Sequence, residues 1–397
     1  MRLIAMVAGV GLAQIASWGS LFYAIGVLGK PMREELGVSE LFLFSAFTAG
    51  LLVSGTAAPF VGRWIDRYGG RVVLSFGSIA ASIALLVLAI APNAPVLVLG
   101  WLLAGAAMAA TLYDPAFSTL SQHAGAHYRR SVTALTLLGG FASTVFWPLS
   151  HLLLQEWGWR VTLAAYAGLQ VAMCLPLHLL LVPARAAASH ASEAAAPPMA
   201  QSPGLSDPRL KWLTASFAVG TFIAAVVAVH MVGLLSGAGL TAAEAVTISM
   251  LMGPMQVVGR IIEISFASRV RAVTVGIAAF ALITTALLLL MATTGFGPTA
   301  ILFVVAFGFG NGVLTIVKGT APAELFGRDG MGALLGYLSR AAFYAKALAP
   351  AALPALLTAG LTRNGALATF VGIAVAGLLC YRVATRERPP EPRARRA

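Results

Sequence analysis

Apolar runs long enough to cross a bilayer recur along the whole chain, and that leaves it little else to fold into. A helix needs about 20 apolar residues to span the hydrocarbon core. Twelve candidate spans meet that length, at roughly 4–29, 41–61, 72–91, 95–121, 131–155, 161–182, 212–235, 243–262, 273–294, 299–321, 331–357 and 365–384. Only 10% of the 397 residues are charged, against about 25% in soluble domains. That is too little charge to cover the water-facing surface of a soluble protein this long. An ordinary soluble enzyme, a disordered chain and a disulfide-built scaffold are excluded. The expected fold is an all-α membrane protein.

The connections between spans are short, so consecutive helices run antiparallel. The exception is 183–211, which is rich in Ala, Pro and Ser and reads as a flexible linker. It separates an N-terminal six-helix half (1–182) from a C-terminal one (212–384), and a basic tail follows at 385–397. With the N-terminus inside, nineteen of the 26 Lys and Arg residues face the cytoplasm and four, Lys30, Arg33, Arg160 and Arg363, face outward. Arg260 counts here among the cytoplasmic ones. Such an asymmetry fits cytoplasmic termini and accounts for the net charge of +12 without a nucleic-acid partner. The first span follows a single arginine and reads as a helix, not a cleavable signal.

The halves echo each other. Spans 2 and 8 both end in Gly-Arg with an acid three residues on: Gly62-Arg63 then Asp66, and Gly259-Arg260 then Glu263. Spans 5 and 11 carry late prolines, Pro148 and Pro350. Spans 4 and 10 carry a charge near their cytoplasmic ends, Asp114 and Lys318. Two six-helix halves related by a repeat are a recurring carrier architecture.

The segment Gly62-Arg-Trp-Ile-Asp66-Arg67-Tyr-Gly69-Gly-Arg71, between spans 2 and 3, resembles the signature loop of the major facilitator superfamily. Gly158-Trp159-Arg160 resembles a second recurring piece. The stretch from Ser17 to Gly26, with Lys30-Pro31, is similar to the bacterial monocarboxylate-transporter-like branch. Trp101 stands before Gly105 where drug–proton antiporters of the superfamily carry an arginine, and span 5 lacks their Gly-Pro motif. The resemblance implies a twelve-helix secondary carrier with a cytoplasmic gate. Gly62 and Gly69 would allow the tight turn, and Asp66 would sit at the positive N-terminus of span 11. Arg67 and Arg71 would reach the acid of span 4, forming an Asp66–Arg71–Asp114 network. Glu263 and Lys318 would form a second latch.

Span 11 places two cations in the membrane, Arg340 about 13 Å and Lys346 about 22 Å from Met331. Six residues set them about 120° apart around the helix, so they need not share a wall. A charge as deep as Lys346 costs upward of about 2.5 kcal/mol unless it faces a polar cavity. No acid within the spans is expected near it, because Asp114 is placed near the cytoplasmic surface. A carboxylate substrate would supply the counter-charge. Lys346, Arg340, Gln14 and Tyr23 are the candidate substrate contacts. Ser17, Thr221, His230, Gln256 and Asn311 read instead as interhelical hydrogen bonds or interfacial groups.

No HExxH, GxSxG or phosphate-binding loop occurs, and the histidines lack metal spacing. No metal, cofactor or enzymatic activity is expected. The expected function is transport of a small organic anion, monocarboxylate-like, across the inner membrane by alternating access. A coupling proton is a candidate co-substrate, and the partners are substrate and lipid bilayer. The alternative is efflux of drugs or other toxic compounds.

Overall fold

The computed structural model describes residues 2–184, 203–267 and 269–386. Residues 185–202 of the expected linker, and the tail from 387, lie outside the described residues. Among the described residues the chain is helical, with no β-strand.

The membrane helices are α1 (Arg2–Leu36), α2 (Glu40–Tyr68), α3 (Gly70–Ala89) and α4 (Ala94–His123). A helical stretch of 57 residues follows, Gly125–Leu181. At 1.5 Å per residue it would run about 85 Å, nearly three times the hydrocarbon thickness. Gly158, at φ 74° and ψ 171°, divides it into α5 (125–157) and α6 (159–181). Then come α7 (Arg209–Ser236), α8 (Ala242–Phe266), α9 (Ala272–Met291), α10 (Pro298–Phe326), α11 (Met331–Thr358) and α12 (Arg363–Thr385). Twelve crossings bring the first and last helices to the same end of the bundle, called the termini end below. One buried apolar cluster belongs almost wholly to α1–α6, joined by Phe343 and Ala347 of α11. The larger one is built mainly from α7–α12, with residues from the termini-end halves of α1, α4 and α5.

A proline sets the break in α4, and side chains serve two of the carbonyls that prolines leave without an N–H. Pro115 has no N–H to give to the carbonyl four residues earlier, Thr111. Helix α4 opens at Leu112, whose ψ is −161°. Gln14 of α1 fills the gap, its Nε2 donating to Thr111 O at 2.6 Å. Pro354 frees the carbonyl of Pro350 in the same way, and His230 of α7 reaches it at 3.0 Å through Nε2. In hydrocarbon an unpaired carbonyl costs several kcal/mol, so such repairs are required of the fold. Two π-turns, Gly19–Tyr23 and Gln170–Cys174, face each other between α1 and α6. Gln170 Nε2 bridges them by donating to Ser20 Oγ at 3.1 Å.

At the end opposite the termini, Glu35 accepts from Trp159 Nε1 at 2.6 Å and Arg160 Nε at 2.8 Å, fastening α1 to α6. Within the first half, α2 and α4 touch backbone to backbone. A Cβ on Gly105 would collide with the Gly50 carbonyl, and one on Gly50 would lie 2.5 Å from Trp101 O.

Neither backbone can yield there, so Gly105→Val is expected to destabilise the protein by about 3 kcal/mol, the upper range for overpacking. Thermal melts of the purified variant in detergent check this; melting with the wild type would count against the contact.

Candidate functional site

Between the two halves lies a cavity of about 450 Å³. Its mouth turns away from the termini end, where Trp147, Val229 and Pro350 are exposed at its rim. Aromatic side chains from both halves line it, among them Trp18, Phe22, Tyr23, Phe47, Tyr113 and Phe343. The π-turn in α1 adds a residue to one turn and changes which residues that helix presents. Trp18, Phe22 and Tyr23 all reach the cavity from it.

Three cations line this space: Arg260 of α8, Lys318 of α10 and Lys346 of α11. Lys318 Nζ donates to Thr221 Oγ1 of α7. Arg260 is only 3% exposed. Its Nη1 donates to Thr136 O at 2.7 Å, while Nε has no hydrogen-bond partner. Lys346 Nζ lies 4.4 Å from the centroid of Phe22 and 5.0 Å from that of Trp18. Among the described residues no carboxylate forms an ion pair with any of the three.

One acid shares the cavity. The break at Leu112 starts a new helical segment, and Asp114 is its second residue, ahead of Pro115. The carboxylate therefore sits at a helix N-terminus, where backbone N–H groups favour negative charge. It lies about 14 Å in from the end of α4, faces Ser339, and is close enough to Lys318 and Lys346 to interact with both. This corrects the expectation that no acid lies near Lys346 because Asp114 is close to the cytoplasmic surface. Reading span 4 as one unbroken helix hid the helix start at Asp114 and its place beside the cavity.

The halves are clasped at the termini end. Gly332 N and Ala333 N, at the start of α11, donate to Asp66 at 2.9 Å and 2.7 Å. The close approach requires glycine, since a Cβ on Gly62 would strike the Gly332 carbonyl. Gly69, at φ 83°, makes the turn into α3. A second clasp joins α5 to α8. Arg129 Nε donates to Glu263 at 2.7 Å, Thr133 Oγ1 donates to the same carboxylate at 2.7 Å, and Arg129 Nη1 donates to Ala267 O at 2.9 Å. Arg328 donates to Gly125 O, and Tyr128 to Gly319 O at 2.9 Å.

The positions expected from sequence sort accordingly. Tyr23 and Lys346 line the cavity. Gln14 does not: it is fully buried and occupied with the Thr111 carbonyl. Arg340 is not a lining residue either, and its turn of α11 packs on Gly55 of α2. Asp66 meets the N-terminus of α11. No ion pair joins Arg71 to Asp114 among the described residues, and Arg67 lies over the Tyr68 ring at 5.2 Å. The contact expected between loop and span 4 is made instead by Gln122, whose Nε2 donates to Ile65 O at 3.0 Å. Glu263 and Lys318 do not pair, because Glu263 takes Arg129 and Lys318 faces the cavity. Arg260, counted as a cytoplasmic cation, lies inside the bundle. Its place near the end of span 8 gave no signal of that.

The family model described as Major Facilitator Superfamily matches residues 10–350. No curated protein matches the sequence significantly. Among solved structures, a human organic anion transporter (TETRAN) superposes with a TM-score of 0.69 at 14% identity, covering 96% of this chain and 99% of that one. The transporter FucP in the outward conformation gives 0.72 at 13% identity, over 98% and 100%. The proton:xylose symporter XylE, bound to a bromodeoxyglucose, gives 0.70 at 14%, over 95% and 94%.

Asp66→Asn removes the charge from two hydrogen bonds at the α11 start, and bonds to charged groups contribute about 1.5–3 kcal/mol each. The variant is expected to lose about 2 kcal/mol and melt at a lower temperature. Glu263→Gln should lose a similar amount through Arg129, and melts of the two variants and their double mutant measure both effects.

Proposed function

The chain belongs to the major facilitator superfamily, and on that premise we propose that it carries an organic anion across the inner membrane by alternating access, with both termini cytoplasmic. The observation that carries this reading is the charge of the cavity: three cations, Arg260, Lys318 and Lys346, against the single acid Asp114. Uncompensated cations within the bilayer are costly. A bound carboxylate would lower that cost while making charge-assisted hydrogen bonds. Asp114, a titratable acid in the same cavity as Lys318 and Lys346, also supports a coupling proton, since protonating it would make the cavity more positive toward an anion.

The same reading gives the clasps their function. The contacts of Asp66 and Glu263 keep the termini end shut while the cavity opens to the other side. Their rupture, with closure of the opposite end, would present the cavity to the cytoplasm. Gly62, Gly69, Arg67 and Arg71 would serve that gate.

Efflux of hydrophobic drugs is a second reading, favoured by the aromatic walls. The two differ in what stabilises the protein, because a ligand that binds the folded state raises its melting temperature. Benzoate is expected to stabilise the wild type, and the cation tetraphenylphosphonium and neutral glucose are not. Lys346→Ala should weaken benzoate by about tenfold or more, the equivalent of one charge-assisted hydrogen bond. Stabilisation by tetraphenylphosphonium alone, or an unchanged benzoate response in the variant, would move the assignment to efflux.

A further inference from the structure

Lys346 does not stand in a polar niche. Its Nζ sits against three rings, 4.4 Å from Phe22, 5.0 Å from Trp18 and 5.9 Å from Phe343. The rings continue outward from there. Trp18 packs on Tyr113 at 5.1 Å and on Tyr23 at 6.1 Å. Phe22 packs on Phe47 at 5.6 Å, and Tyr23 meets Trp147 edge to face at 6.1 Å. All of them line the same cavity, so the ammonium of Lys346 sits on the aromatic part of its wall.

Any carboxylate that reaches Lys346 brings its organic body against these rings. A two- or three-carbon acid would fill a corner of about 450 Å³ and leave most of the wall untouched. A flat ring body has more to gain. Aromatic pairs in offset or edge-to-face contact gain beyond their buried area, and apolar walls around a few polar groups are the usual build of a site for a larger ligand. Trp18 is the pivot of the arrangement, because it touches Lys346 and joins it to Tyr23 and Tyr113.

We propose that the anion carried is an aromatic carboxylate, with its carboxylate on Lys346 and its ring system packed against Trp18, Phe22 and Tyr23. The proposal rests on the organic-anion reading and narrows it. It makes Trp18 the residue that selects for the ring, and Lys346 the residue that selects for the charge.

The test is a series of melts of the purified protein with acetate, cyclohexanecarboxylate, benzoate and 2-naphthoate, and with neutral 2-naphthamide. Apparent affinity should rise at least tenfold from acetate to 2-naphthoate, and benzoate should exceed cyclohexanecarboxylate. Trp18→Leu should erase the aromatic increment, bringing the affinity ratios of benzoate to cyclohexanecarboxylate and of 2-naphthoate to acetate down toward one, whatever happens to the absolute affinities. Trp18→Phe should keep most of it, and the unliganded melts of both variants show whether the fold is intact. Acetate binding as tightly as 2-naphthoate overturns the proposal and leaves the anion reading standing. So does an intact aromatic increment in a folded Trp18→Leu protein. Naphthamide binding as tightly as naphthoate removes the anion reading itself, and the proposal falls with it. No shift with any acid of the series overturns the proposal as well.

Discussion

Backbone polar groups inside the bilayer must find partners within the protein, and the helix breaks of this molecule are arranged around that requirement. The carbonyl of Thr111 is the clearest case. Pro115 cannot serve it, so the amide of Gln14 crosses from α1 to do so. The repair lets α4 break at Leu112 without an orphaned acceptor. The break in turn sets Asp114 at a new helix start beside the cavity. A proline thus places a carboxylate deep between the halves. His230 repeats the device at the Pro350 carbonyl, on the rim of the same cavity.

Two sets of charged groups bear on the site. Those at the termini end pair across the halves: Asp66 with the start of α11, and Glu263 with Arg129. Those in the cavity are held differently. Lys318 leans on a threonine, Arg260 on a carbonyl, and Lys346 on aromatic faces. None of these partners carries a charge, so the three cations of the cavity face the single acid Asp114.

Apolar length and spacing made the twelve crossings legible, and the Gly-Arg-x-x-acid pattern pointed to both clasp acids, Asp66 and Glu263. Lys346 stood out because so few cations interrupt the spans. What stayed hidden was pairing. Nothing local says that Glu263 takes Arg129, 134 residues away, in place of Lys318. Gln14 and Tyr23 look alike as polar residues of span 1. Only the π-turn and the Thr111 carbonyl separate a cavity residue from a structural one. The Asp-Pro pair at 114–115 was a usable signal of a helix start within span 4, since proline is favoured in a helix's first turn.

The sequence by itself determined that the chain crosses a membrane twelve times, that it is built as two similar halves, and that a cation lies deep in span 11. Those properties depend on hydropathy, which acts over one helix length. The tertiary structure alone decided that Arg260, Lys318 and Lys346 share a cavity with Asp114, and that Trp18 and Phe22 surround one of them. Those properties depend on helix rotation and on breaks, where a shift of one residue turns a side chain by about 100°. Composition leaves that angle open, and packing across the halves sets it.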